Sequence, residues 1–296
     1  MSHSPRISIV TPNLNGAKYL EQTIRSVLQQ EYPNLEYIVM DGGSTDGSLD
    51  IIRRYEDQLS YWESNPDKGL YDAVNKGFGH ATGDIMGYLN SDDMLHPGAL
   101  AALAEIFSLP QVDWVQGFNT WFDIHGRTYY AERFRTVSKY AYYCGDFEDQ
   151  DKAPFIQQES SYWSRKLWEQ AGAYVSTEYQ LAGDFELWMR FFSHADLFVT
   201  NSLIGGFRYH GAAQLSRNQF DQYLEESRKI IAVCPKDAET ESRIGKIMQW
   251  KKQMWPDLLP GAKAKRDETG RELYGKFPRV SWNAEKESFE VSGMTK

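Results

Sequence analysis

The sequence is poor in cysteine, has fewer basic than acidic side chains, and contains no long apolar run. Its two cysteines, Cys144 and Cys234, lack the spacing of a zinc site or a disulfide framework, and two free thiols suit a reducing cytosol. A formal net charge of −9 is the opposite of what a nucleic-acid surface requires, so we expect no nucleic-acid partner. No stretch approaches the ~18 apolar residues of a membrane span, and the first residues do not resemble a secretory signal. We therefore expect a cytoplasmic protein that at most touches the inner face of a membrane.

A glycine-rich phosphate loop is also missing after the first predicted strand. Residues 11–18 contain no Gly-x-Gly-x-x-Gly turn, which argues against an NAD-type dinucleotide-binding enzyme. They also lack the basic, glycine-rich loop that a nucleotidyltransferase usually carries there. What is present, 41% hydrophobic and 25% charged residues, is typical of a globular protein with a sizeable core. Trp163, Trp168 and Trp188 are expected in that core.

The first hundred residues alternate between short apolar runs and segments of helical periodicity. The strand-like runs are 7–10, 35–40, 59–62 and 84–89, and the helical segments are 19–30, 49–55, 69–81 and 97–107. This alternation predicts βαβ units, and therefore an α/β fold with a mainly parallel sheet flanked by helices.

The pattern changes after residue 107. Further strands are predicted at 112–117, 119–124, 128–134, 157–163, 197–200 and 203–209, and helices at 165–171, 184–192 and 219–255. We expect an α/β domain over residues 1–215 and a helical C-terminal extension over 216–296 with a mobile tail. Within the extension, residues 251–271 mix basic with apolar side chains and are a candidate for peripheral membrane contact.

Polar residues follow each of the first four strands, at the edge where parallel sheets bind ligands. They are Thr11 and Asn13, Asp41, Asp67 and Lys68, and the run Asn90 to Asp93. Asp92 and Asp93 are adjacent carboxylates that repel each other unless a cation or a proton intervenes, and oxygen ligands suit Mg²⁺ or Mn²⁺. A solvated loop that caps the next helix would explain the same pair.

The other strand-end residues suit a nucleotide. Asp41 can accept from a base N–H or from ribose hydroxyls, and the glycines after it would let a ligand approach the backbone. Thr11 and Asn13 could line the same pocket, while Lys68 could neutralise phosphate with Asp67 beside it. Ordinary turn and helix-cap chemistry is the alternative for each of these residues.

The second half of the chain offers fewer candidates. Asp184 opens a predicted helix, as its N-cap or in its first turn, from where it could point into a cleft or simply cap the helix. His210 follows the last predicted strand and could bind a metal or a phosphate, although a single histidine is more often structural. Glu159 is a further cleft candidate without distinguishing spacing.

Taken together, these motifs resemble the inverting glycosyltransferases of family 2, which have a GT-A fold. The resemblance runs through roughly residues 6–211 and rests on six stretches: Ile7 to Asn15, Tyr37 to Gly47, Asp67 to Gly77, Gly83 to Asp93, Gln158 to Gly172 and Ala182 to Trp188. The subgroup is similar to bacterial enzymes that build O-antigen or other surface polysaccharide. One departure is Gln157, where relatives often have histidine.

The resemblance implies a role for each matched position. Asp41 would bind the base, with Thr11 framing it, and Asp92 would lie near the ribose or the sugar. Asp93 would be the direct ligand of Mn²⁺ or Mg²⁺, with His210 as a weaker donor-site match. Asp184 matches the catalytic base.

The function implied is transfer of a sugar from a nucleotide-sugar, with UDP as the default nucleotide, to a hydroxyl of a saccharide or lipid-linked saccharide. A sugar-nucleotide nucleotidyltransferase and a non-catalytic sugar-binding protein of this fold are the alternatives. The residues identify neither the sugar, the acceptor nor the number of subunits.

Overall fold

A nine-stranded sheet runs through the middle of the structure, a computed structural model that describes residues 4–132, 138–148, 155–211, 219–253, 262–275 and 277–292. The strands are β1 (Ile7–Asn13), β2 (Leu35–Asp41), β3 (Tyr61–Ser64), β4 (Ile85–Tyr88), β5 (Met94–Leu95), β6 (Trp114–Gln116), β7 (Asn119–Phe122), β8 (Thr128–Glu132), β9 (Ser161–Ser164), β10 (Phe198–Thr200), β11 (Gly205–Arg208), β12 (Arg279–Asn283) and β13 (Ser288–Ser292). The helices are α1 (Ala17–Leu28), α2 (Ser48–Tyr55), α3 (Leu70–His80), α4 (Ala99–Phe107), α5 (Lys139–Tyr143), α6 (Arg165–Gln170), α7 (Gly183–Phe191), α8 (Phe220–Val233), α9 (Ala238–Lys252) and α10 (Ala262–Tyr274).

The predicted α/β class is confirmed. The large sheet has the order β13-β12-β10-β6-β9-β4-β1-β2-β3, and β4, β1, β2 and β3 run parallel to one another. Alternate residues of β1 face opposite sides: Val10 packs in one apolar cluster, Ile7 and Ile9 in the other. Because helices cover both faces, β1, β4 and almost all of β2 are buried on both sides, and the few polar side chains of these strands, such as Ser8 and Glu36, are buried with them.

Two features bring the second half of the chain to the first. Strand β9 lies antiparallel between β4 and β6, so the segment before it ends beside the acidic loop after β4. A smaller sheet, in the order β5-β11-β7-β8, places β11 against β5, directly after that loop. The tryptophans Trp163, Trp168 and Trp188 lie in the core, as expected.

Several predicted boundaries differ from the structure. The strand expected at 59–62 is Tyr61–Ser64, and the strand expected at 157–163 begins with a 3₁₀ turn, Gln158–Ser160. The long helix expected at 219–255 is two helices, because Pro235 cannot continue a helix and holds the residue before it extended. The carboxylate of Asp237 then caps α9 by accepting from the backbone N–H of Thr240 at 2.7 Å.

The C-terminal segment contains more regular structure than its weak pattern indicated. Strands β12 and β13 form a hairpin, and β12 pairs with β10 at one end of the large sheet. The alternation of such a short edge hairpin is difficult to recognise in sequence, although Val280 is fully buried. The predicted boundary at 215/216 and residues 254–261 of the candidate membrane segment lie outside the described residues. Within the described ranges, no helix has both the length and the apolar character needed to cross a membrane.

Candidate active site

The acidic loop after β4 is fastened to the end of β11. The backbone N–H of Arg208 donates to Asp93 Oδ1 at 2.7 Å, and its Nε donates to the carbonyl oxygen of Asp92 at 2.6 Å. From α1, the hydroxyl of Thr23 donates to the carbonyl of Asp93 at 2.7 Å. Arg208 is fully buried, so a cationic side chain lies beneath the two aspartates and offsets part of their mutual repulsion.

The two adjacent aspartates differ sharply in solvent accessibility. Asp93 has no exposed surface, whereas the side chain of Asp92 is 33% exposed. Burial, together with the charges of Asp92 and Glu159, raises the pKa of Asp93 well above its usual range. Asp93 is therefore an interior residue that accepts from β11, and its role as a direct metal ligand stays a prediction.

Asp92 instead faces the other predicted metal residue. The imidazole Nε2 of His210 lies 2.9 Å from Asp92 Oδ2. The imidazole ring packs on Tyr19, with ring centroids 4.8 Å apart. The guanidinium carbon of Arg208 lies over the same tyrosine ring, 4.7 Å from its centroid. Tyr19 thus fixes the orientation of His210.

The pair suits a cation only as part of a larger shell. Among the described residues, no cluster of three or more His, Cys, Asp or Glu side chains is arranged to hold a metal ion. A partly exposed carboxylate and an adjacent imidazole nonetheless fit a Mn²⁺-type ion, because such ions commonly complete their shell with phosphate oxygens and water.

Asp41 lies at the end of β2 and is 2% exposed. It accepts hydrogen bonds from the side chains of Asn13, Ser44 and Ser64 at 2.6, 2.5 and 2.6 Å, and from the backbone N–H groups of Gly43 and Ser44. Burial opposes its charge, but the hydrogen bonds from Ser44 and Ser64 outweigh burial and lower the pKa of Asp41. The carboxylate therefore organises the loop after β2 and the end of β1.

The remaining strand-end residues divide into two groups. Asp67 joins this cluster, because its carboxylate fills the space beside Gly42, where a Cβ would come within 2.5 Å of Asp67 Oδ2. The space at this glycine is thus taken by the chain itself rather than left for a ligand. Thr11 and Lys68 do not join: Thr11 is fully buried with its hydroxyl 3.0 Å from that of Tyr37, and Lys68 is exposed. The side chain of Thr11 thus faces the interior, and a part of this residue in framing a base stays a prediction.

Asp184 lies in the first turn of α7, one residue after its start, and is not the N-cap, which is Ala182. Its Oδ1 accepts from the backbone N–H of Phe185 at 2.8 Å and lies 3.5 Å from the hydroxyl of Tyr71. Burial raises the pKa of Asp184 to about 6, although the hydrogen bond from Phe185 acts in the opposite direction. The carboxylate is thus poised to be ionised, yet basic, at neutral pH.

The C-terminal extension holds the turn that precedes Asp184. Glu226 of α8 accepts from the backbone N–H groups of Leu181 and Ala182 at 2.9 and 3.0 Å. A residue beyond the predicted first domain therefore positions the candidate base, and neither composition nor spacing indicated this.

The clusters adjoin one another. Asn13 and Ser91 meet at Gly16, where a Cβ would lie 2.3 Å from Asn13 Oδ1 and 2.7 Å from Ser91 Oγ. Glu159 interacts electrostatically with both Asp92 and Asp184. The ends of β1 and β2 thus adjoin the acidic loop, and Glu159 interacts with both this loop and the start of α7. Such an arrangement suits a nucleotide beside a general base.

Besides Glu226, sequence reasoning missed Arg208 and Tyr19. Both lie in ordinary apolar or amphipathic contexts, so only their contacts with Asp92, Asp93 and His210 reveal them. A separate cavity of about 580 Å³ lies between α7 and α8, lined by residues that include Asn75, Arg190 and Cys234. None of the sequence-predicted site residues lines this cavity.

Solved structures place this architecture in a known class. TarS (residues 1–349) of S. aureus, in complex with UDP-GlcNAc, matches with a TM-score of 0.62 at 18% identity, over 81% of this chain and 70% of that one. The mannosyltransferase PcManGT of Pyrobaculum calidifontis, in complex with GDP-Man and Mn²⁺, gives 0.61 at 18% identity, over 93% and 82%. At this identity the likeness establishes the fold alone, and that fold is GT-A, as expected.

The sequence identifies the family within that class. A profile of glycosyl transferase family 2 matches residues 8–171, more than half of the chain, and the chain belongs to this family. An uncharacterized glycosyltransferase of Mycobacterium tuberculosis is 38% identical over 110 residues, 36% of this chain and 42% of the relative. TuaG of Bacillus subtilis, provisionally named for teichuronic acid biosynthesis, is 39% identical over 94 residues, 30% and 36%. The matches thus span less than half the length of these curated relatives.

Proposed function

We propose that this protein transfers a sugar from a nucleotide-sugar to an acceptor hydroxyl with inversion at the anomeric carbon. Two features of the candidate site carry the proposal. Asp92 and His210 form a pair that would hold a cation and, through it, a diphosphate. Asp184 is a carboxylate whose pKa suits a general base.

The donor side is assigned to the ends of β1 and β2 and the acidic loop. Asn13, Asp41 and Asp67 would surround the nucleoside. Asp41 would then accept from a base or ribose in place of one of its present donors, Ser44 or Ser64. A uridine nucleotide is proposed, and the UDP-GlcNAc bound by TarS supports it, while the GDP-Man bound by PcManGT makes guanosine the alternative. Lys68, exposed at the start of α3, would approach the phosphates.

Asp92 and His210 are proposed to hold the cation, Mn²⁺ or Mg²⁺, and the Mn²⁺ bound by PcManGT supports this. When bound, such a cation offsets the negative charge that the departing nucleoside diphosphate gains. Asp93 and Arg208 fix the loop from below, so that Asp92 is held facing His210.

Asp184 is proposed to take the proton of the acceptor hydroxyl as the oxygen attacks the anomeric carbon. A single displacement from the face opposite the leaving group inverts that centre. The bond to the diphosphate oxygen breaks as the new glycosidic bond forms, and the proton remains on the Asp184 carboxylate. Glu226 and Phe185 keep this carboxylate in place through the turn and the first N–H groups of α7.

The acceptor is proposed to be a saccharide or a lipid-linked saccharide of a bacterial surface polysaccharide. The similarity to TuaG supports this choice. A lipid-linked acceptor would bring the protein to the inner face of the membrane, as a cytoplasmic protein in peripheral contact.

The pH dependence of the reaction tests the base. Below its pKa of about 6, Asp184 is protonated and cannot accept a proton. We therefore expect kcat/KM to be level above this pH and to fall about tenfold per pH unit below it. Initial rates between about pH 5 and 8 at saturating cation would measure this. A profile that stays level to pH 5, or that rises as pH falls, would contradict the assignment.

The donor class is tested by thermal shift. UDP-GlcNAc and GDP-Man, each with and without Mn²⁺, are expected to raise the Tm only when they bind the folded state. A rise with one sugar nucleotide that is larger with Mn²⁺ supports the proposal. Stabilisation by a nucleoside triphosphate with release of pyrophosphate would instead support a nucleotidyltransferase.

A further inference from the structure

Glu159 carries a buried carboxyl group that the proposed mechanism does not use. The residue lies in the middle of the 3₁₀ turn Gln158–Ser160 and is 4% exposed. Its Oε1 is buried and has no hydrogen-bond partner within the described part of the chain. A buried polar atom without a partner costs stability, so native structures retain few of them, and each calls for an explanation.

The backbone fixes where this carboxyl group lies. The side-chain amide of Gln158 donates to the carbonyl of Tyr88, at the end of β4, and Ser160 Oγ donates to the carbonyl of Phe118 at 3.1 Å. On the other side the turn packs against Gly205 of β11, where a Cβ would come within 1.8 Å of the carbonyl oxygen of Glu159. Glu159 therefore cannot withdraw from the site by a shift of its backbone.

Glu159 interacts electrostatically with both the acidic loop and the candidate base. Burial raises its pKa to about 8, and the negative charges of Asp92 and Asp184 act in the same direction. Hydrogen bonds to its own backbone and to the side chain of Gln157 act in the opposite direction. Whatever its charge, the carboxyl group has an oxygen that can accept a hydrogen bond from a sugar hydroxyl.

We propose that Glu159 contacts a hydroxyl of the transferred sugar and so helps to determine which donor sugar is accepted. The inference rests on the proposed function, in which the sugar lies between the diphosphate at Asp92 and the base Asp184. Glu159 interacts electrostatically with both residues, and its Oε1 has no hydrogen-bond partner among the residues that the structure describes. The sugar would supply that partner.

Paired dissociation constants test the contact. UDP-GlcNAc is compared with UDP, and GDP-Man with GDP, all with Mn²⁺, in the wild type and in Glu159→Leu. We expect Glu159→Leu to weaken the nucleotide-sugar about tenfold and to leave the nucleoside diphosphate unchanged, because only the sugar loses a hydrogen bond. Glu159→Gln keeps a donor and an acceptor and is expected to remain within about threefold of the wild type.

Stability separates this role from a structural one. Leucine removes the unpartnered oxygen, so the Tm of Glu159→Leu is expected to stay level or rise while sugar binding weakens. Glu36→Gln is the matched control: Glu36 is also buried but bonds Ser8 and Thr82, at the amino ends of the strands. This control is expected to lower the Tm and to leave the ratio of the two affinities unchanged.

The possible results separate failure of the Glu159 contact from failure of the proposed function. An unchanged affinity ratio in Glu159→Leu overturns the contact, whatever the Tm does. Should leucine prevent folding, Glu159→Ala, which cannot overpack the site, carries the same ratio test. A wild type that binds neither nucleotide-sugar overturns the donor class and this contact with it, and that result is seen without any variant.

Discussion

Asp184→Asn is expected to lower kcat for sugar transfer by about 10³-fold while the affinity for the nucleotide-sugar stays within about twofold. The amide is close in size to the carboxylate and can still accept from the N–H of Phe185, so the first turn of α7 should be retained. It cannot take a proton at neutral pH, which removes the general base. Single-turnover transfer, together with a separate binding measurement, would show the loss in kcat alone.

The same helix provides a control for this substitution. Glu186 lies two residues further on and pairs with Arg190 at 2.7 Å, rather than with Tyr71. Glu186→Gln changes the charge of α7 equally and is expected to keep the transfer rate within about twofold. Wild-type transfer by Asp184→Asn would remove Asp184 from the chemistry, whereas equal losses in the two variants would indicate a general effect of charge on the helix.

Asp92→Asn is expected to lower transfer by about 10²- to 10³-fold and to weaken the stimulation by Mn²⁺. Of the two adjacent aspartates, only Asp92 combines an exposed carboxylate with a neighbouring imidazole, 2.9 Å from His210. The amide is a poor ligand for a divalent cation, so the cation concentration required for half-maximal activity should rise. Activity and direct binding, each measured over a range of Mn²⁺ concentrations, would give this shift.

Asp93→Asn distinguishes the two positions. Asp93 is fully buried, and its Oδ1 accepts from the N–H of Arg208, a bond that an asparagine oxygen can also accept. We expect this variant to keep the Mn²⁺ requirement of the wild type, with at most a modest loss of Tm. If Asp93→Asn lost the Mn²⁺ response and Asp92→Asn kept it, the result would support Asp93 as the metal ligand, as the resemblance implies, and would contradict Asp92.

The sequence was informative wherever a periodic pattern ended in a polar residue. Asp41, Asp92 and Asp93 each follow a strongly patterned strand, and the rule that ligands bind at the carboxyl ends of parallel strands predicted them at one edge. Asp184 was found differently, because it opens a strongly patterned helix. The pattern was weaker for the edge hairpin β12–β13. It also concealed the break at Pro235, because the sequences of α8 and α9 on either side are both rich in charged, helix-forming residues. It also gave no reason to connect Glu226 with Asp184.

The amino-acid sequence by itself determined the α/β class, the acidic residues that follow the parallel strands, and the resemblance to family 2 glycosyltransferases. These features depend on local periodicity and on the spacing of motifs. The tertiary structure alone decided that Asp93 is buried while Asp92 stays partly exposed, because the Asp93 carboxylate accepts from the backbone of Arg208 on β11, 115 residues away. It also decided that Thr11 turns to Tyr37 and that Glu159 lies beside the acidic loop. Such choices depend on contacts between distant segments, and those contacts leave no periodic trace in the chain.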